Sequence, residues 1–139
     1  MNCNAPYYDF VKSFGIDEIY SVKPGQFTSN TVLATRRGQK VTVSDMLKAA
    51  GYLNDFIKAY FDVENKKYSQ ALHFLKTINL VFNNQQVKKP TKECMHYFVD
   101  VIHEVKDLQT TCSEERRANA RIALALNLMI DLFGPSDET

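Results

Sequence analysis

Cys94, His96, His103 and Cys112 are residue types that bind zinc, and they fall in one stretch of the chain. Zinc asks for about four nitrogen or sulfur ligands converging as a tetrahedron, and short C-x-x-C or H-x-x-x-H spacings are what bring them together. No such spacing occurs here. His96 and His103 stand seven residues apart and can share a helix face, whereas Cys94 points elsewhere and Cys112 lies past the helix end. They read as surface histidines and a packed cysteine, with no metal and no cofactor implied. A cysteine nucleophile would need a base within hydrogen-bond reach and surroundings that lower its pKa. Cys94 and His96, two positions apart, point to different sides of a helix. Gly38 and Gly51 are isolated, so no glycine-rich loop can cradle a phosphate. Glu114 and Glu115 sit at a predicted helix start, where the helix dipole accounts for them. The expectation is a protein without catalytic machinery.

The residues left over can bind rather than react. Arg36, Arg37 and Lys40 crowd a predicted hairpin, and Lys48 follows in the first turns of the next helix. A rigid loop tip with arginines can track a phosphate backbone or enter a groove. Lys88, Lys89 and Lys92 form a second basic cluster, and Arg116, Arg117 and Arg121 a third, each readable as solvated surface. The formal net charge of +1 provides no long-range attraction for nucleic acid, so binding of that kind would rest on a local patch. Tyr7, Tyr8 and Phe10 crowd a short N-terminal helix that cannot bury all three by itself. They either cover the core or anchor a partner, a role in which aromatic residues are favoured.

What positions these residues follows from pattern. The chain has 139 residues, 45% hydrophobic and 24% charged, which suits one globular domain rather than a disordered segment. Three cysteines, odd in number and widely spaced, fit a reducing compartment, and no basic-then-apolar leader opens the chain. Residues 122–130 are the most apolar stretch and are too short to span a bilayer. Cytoplasm or nucleus is the expected location, with no membrane contact. Pro6 and Gly15 bracket a short helix over 7–14. Residues 17–22 fit either a helical turn or an extended piece. Two β-branched runs around Arg36-Arg37-Gly38-Gln39 predict a β-hairpin over about residues 31–43.

Beyond the hairpin the period turns helical. Ser44 suits an N-cap, and Met46, Ala50, Leu53, Ile57 and Tyr60 then form an apolar stripe widened by Leu47, Phe56 and Phe61. Asn65 suits the cap of a helix whose inner face is Tyr68, Ala71, Leu72, Leu75, Ile78 and Phe82. Thr91 suits that of a third, with Met95, Phe98, Ile102, Val105 and Leu108 facing inward. Thr111 and Glu114 match a capping box before a last helix that is apolar nearly all round over 122–133. A helix without a polar face belongs at the centre of a bundle. The expected fold is mainly α: one domain over 1–139, with an N-terminal helix and hairpin over 1–43. A core of about four long helices would follow over 44–134, and a frayed tail over 135–139.

Residues 41–61, VTVSDMLKAAGYLNDFIKAYF after a hairpin, resemble the opening of the KilA-N DNA-binding domain of large viruses and phages. The likeness covers about a sixth of the chain, departs at the helix start, and lacks the tryptophan and histidine segments that family carries further on. It implies a nucleic-acid function for the hairpin region. The segment LMIDLFG is similar to the final helix of some poxviral Bcl-2-like proteins, which implies a helical inhibitor acting by protein contact. Seven residues carry that likeness, and neither assigns a family. The function read from the residues is a non-enzymatic protein-interaction or assembly module. It would use an apolar groove, the aromatic face of Tyr7, Tyr8 and Phe10, or self-association as a homodimer. The alternative is a nucleic-acid-binding module using Arg36, Arg37, Lys40 and Lys48.

Overall fold

The computed structural model describes residues 15–20 and 25–108. Three strands come first, β1 (Ile16–Ile19), β2 (Val32–Arg36) and β3 (Gln39–Thr42), joined as an antiparallel sheet in the order β1-β2-β3. Three helices follow, α1 (Val43–Tyr60), α2 (Lys66–Phe82) and α3 (Lys92–Leu108). This replaces the expected bundle of four long helices with a lone hairpin: the described fold is mixed, three helices beside a three-stranded sheet. The expected helix over 7–14 and the central helix over 122–133 lie outside the described residues.

The third strand is what the hydrophobic pattern left open. β1 is only four residues long and its interior, Asp17 and Glu18, is charged and exposed, so no alternation marks it. It is held by pairing: Ile16 opposes Arg36, Glu18 opposes Thr35 and Ile19 opposes Ala34, with a bulge at Asp17. The bulge turns the Asp17 carboxylate to the next turn, where it accepts the Gly38 N–H at 2.9 Å. That turn is two residues long, because Arg36 and Gln39 already pair. Arg37 (φ 52°) and Gly38 (φ 80°) both sit in the left-handed region, the backbone a type I′ hairpin requires.

β3 runs straight into α1, which moves the cap. Thr42, not Ser44, is the N-cap: the Asp45 N–H donates to Thr42 Oγ1 and the Thr42 N–H donates to Asp45 Oδ2, a reciprocal box. Ser44 is already inside the helix, its N–H donating to the Ser29 carbonyl. Asn65 and Thr91 cap as their types suggest, accepting the N–H groups of Lys67 and Cys94.

One core joins sheet to helices. Leu33, Ala34 and Val41 from the sheet share it with Met46, Leu53 and Ile57 of α1, Phe74 and Ile78 of α2, and Phe98 and Ile102 of α3. α2 is packed on both sides, against α1 and against α3, so it holds the central position among the described elements. Phe74 meets Phe98 at 4.5 Å between ring centroids across the α2–α3 interface. Phe27 meets Phe82 edge-on at 4.9 Å and ties the strand entry to the end of α2. Tyr60 and Leu108, expected on inner faces, are instead exposed at the last described positions of α1 and α3.

Candidate functional site: a groove between two helices

α1 and α2 form a helical hairpin joined by the short segment 61–65, so they run antiparallel. Between them they leave a cleft of about 540 Å³. Its floor is apolar: Leu47, Ala50 and Gly51 from α1, Leu72 and Leu75 from α2. Its walls are polar: Asn54 and Lys58 on one side, Ser69, His73, Lys76 and Asn79 on the other. The lining follows helical spacing, 47, 50, 51, 54, 58 on α1 and 69, 72, 73, 76 on α2, so each helix contributes one continuous stripe. At ~1.5 Å per residue the α1 stripe is about 16 Å long, roughly three turns.

Gly51 gives the groove its depth. Glycine in a helix interior is roughly 0.5–1 kcal/mol less favourable than alanine. A Cβ placed on Gly51 would meet nothing within 4 Å among the described residues, so no contact there demands the missing side chain. The space lies on the open side of α1, level with Ala50 and Asn54.

The sequence-derived nucleic-acid residues are less well assembled. Arg37 and Lys40 are exposed, Lys48 is exposed on α1, and Arg36 is half-buried and engaged with a neighbour. Register separates them. Arg36 pairs with Gln39 in the row next to Lys40 and Thr35, so pleating sends Arg36 and Lys40 to opposite faces. β1 also delivers two carboxylates. Asp17 sits at the hairpin tip, and Glu18 shares the Thr35–Lys40 row. The Arg37 side chain folds back over Gly15, so close that a Cβ there would stand 3.2 Å from Arg37 Nε.

Among the described residues, those considered for metal or thiol chemistry do not converge. Cys94 is buried, its thiol donates to the Gln70 carbonyl at 3.4 Å, and burial, with the charge of Glu93, pushes its pKa up to about 11. Such a thiol stays protonated near neutral pH. His96 and His103 are exposed. Among the described residues no three His, Cys, Asp or Glu side chains stand close enough to hold a metal ion. Cys112, Tyr7, Tyr8 and Phe10 lie outside the described residues. No helix among the described residues is long and apolar enough to cross a membrane.

The sequence pattern places Leu47 in a widening of one stripe and Leu72 on the inner face of the next helix, and it does not locate the groove between them. The available signal was Gly51 in a strong helical pattern, with small Ala50 beside it and a second helix close behind. Comparison of the whole chain with protein-family models, curated proteins and solved structures finds no match, so the groove's chemistry has to be argued from its own residues.

Proposed function

We propose that this chain is a non-enzymatic protein-interaction module that receives a partner's helix in the groove between α1 and α2. The observation that carries the reading is the open apolar floor with Gly51 at its centre. An apolar groove of about three turns matches the i, i+3/i+4, i+7 anchors by which amphipathic helices dock. The nucleic-acid alternative has weaker support, because β1 brings Asp17 and Glu18 among the basic residues and the sheet splits Arg36 from Lys40.

Titration with a leucine-striped helical peptide, followed through backbone amide resonances, is expected to shift residues 47–58 and 69–79. Gly51→Gln, which fills the floor without adding charge, should abolish those shifts. Gly51→Ala should raise stability to unfolding by about 0.5–1 kcal/mol, since its added methyl meets nothing. A chain that ignores the peptide yet binds an oligonucleotide in a steeply salt-dependent way, with shifts at Arg37, Lys40 and Lys48, would favour the phosphate-binding reading instead.

A further inference from the structure

Resting on the groove reading, we infer that the occupant is an amphipathic helix of a partner protein whose apolar stripe is flanked by Asp and Glu. The walls carry Lys58 on α1 and Lys76 on α2, with His73 beside them, and no carboxylate among the described residues lines the groove. The two lysines stand on opposite walls. In the antiparallel hairpin Lys58 lies toward the connecting segment and Lys76 toward the other end, so both flanks of an inserted helix meet a cation.

Lys76 differs from the two lysines that begin its own helix. Lys66 pairs with Glu93 and Lys67 with Glu104, whereas neither Lys58 nor Lys76 has an ion pair among the described residues. Partner choice by helices in grooves is set largely by such rim charges, while the apolar floor supplies affinity. The chain's own apolar stretch over 122–133 is accompanied by both signs, Glu114, Glu115 and Asp131 against Arg116, Arg117 and Arg121, so it lacks the acidic excess that these walls favour.

The test uses the full chain and three synthetic helical peptides with one leucine stripe and flanks of Glu, Ser or Lys. At low ionic strength the Glu-flanked peptide should bind on the order of tenfold more tightly than the Lys-flanked one, and salt should narrow the gap. The double variant Lys58→Glu, Lys76→Glu, both sites being exposed, should reverse the order while leaving the far-UV spectrum unchanged. Gly51→Gln should block every peptide that binds. Equal affinity for the three, still blocked by Gly51→Gln, overturns the acidic partner and leaves the groove standing. Absence of binding, or binding untouched by Gly51→Gln, overturns both. Self-association abolished by Gly51→Gln would make a second copy the occupant and overturn the inference as well.

Discussion

At the scale of single residues, the described surface places its clearest electrostatic device away from the groove, where α2 meets α3. The Tyr68 hydroxyl donates to Glu104 Oε1 at 2.7 Å, and the Lys67 ammonium lies against Glu104 Oε2, an oxygen that no other donor among the described residues reaches. The Phe61 ring stacks on Tyr68 at 4.6 Å and nearly parallel, and the Lys67 ammonium sits 5.6 Å from the same ring. Burial alone would raise the Glu104 carboxyl, but the Lys67 and Tyr68 donors outweigh it and hold the pKa below the ordinary value. The hydrogen bond to Glu104 in turn raises both Lys67 and Tyr68. A carboxyl depressed by folding stabilises the fold above its unfolded pKa of about 4.3, and that contribution fades as pH falls through the lower folded value. Glu104→Gln should therefore cost about 1–2 kcal/mol near neutral pH, the range of a charged hydrogen bond discounted for partial exposure. Urea unfolding of both proteins from about pH 7 down to about pH 3 should show the gap closing. A gap that stays constant across that range would mean the residue acts through packing alone.

Among the elements, the end of α2 shows how a helix boundary can carry tertiary structure. Asn84 adopts φ 62°, and the N–H groups of Asn84 and Gln85 return to the carbonyls of Val81 and Leu80, a Schellman closure with asparagine in the place usually held by glycine. Its side chain explains the choice. Asn84 Oδ1 accepts the Phe27 N–H and Asn84 Nδ2 donates to the Phe27 carbonyl, both at 2.8 Å, so one amide satisfies both backbone groups of a residue 57 positions away. Asn84→Gly keeps the backbone and loses two hydrogen bonds, for an expected cost of about 1–3 kcal/mol. Asn84→Ala should cost roughly 1 kcal/mol more, because alanine resists that φ. Equal losses for the two would show that the turn relaxes. Much of the helical half was legible beforehand for a physical reason: long stripes, and caps at Asn65 and Thr91 whose side chains bond within three residues. The strand at Ile16–Ile19 was not, since its stability comes from partners 15 to 20 residues on, and the cap at Thr42 was missed because a strand leads directly into it. The groove was hidden too: apolar residues that line an open cleft obey the same period as those that fill a core.

For the molecule as a whole, the question is whether sheet and helices melt together. The hydrophobic pattern describes a hairpin beside a bundle, and since a lone hairpin is marginal in water it must pack on the helices. Besides the shared core, the structure joins them where Phe27 is buried on Phe82 while its backbone is held by Asn84. If that junction makes one cooperative unit, weakening it must lower the stability reported by both halves equally. Phe27→Leu keeps an apolar side chain but loses the edge-on ring contact, for an expected cost of about 1–2 kcal/mol. The larger Phe27→Ala, at about 3–5 kcal/mol, would threaten a total stability that for a domain of this size is only about 5–15 kcal/mol. Hydrogen exchange on Phe27→Leu distinguishes the two architectures. Slow amides in β2 and in α2 should lose protection by the same factor, since both open only with the whole. Loss confined to the strands, with α2 unchanged, would show instead that the sheet opens on its own. The α1–α2 groove would then belong to a helical unit that does not depend on the sheet for its shape.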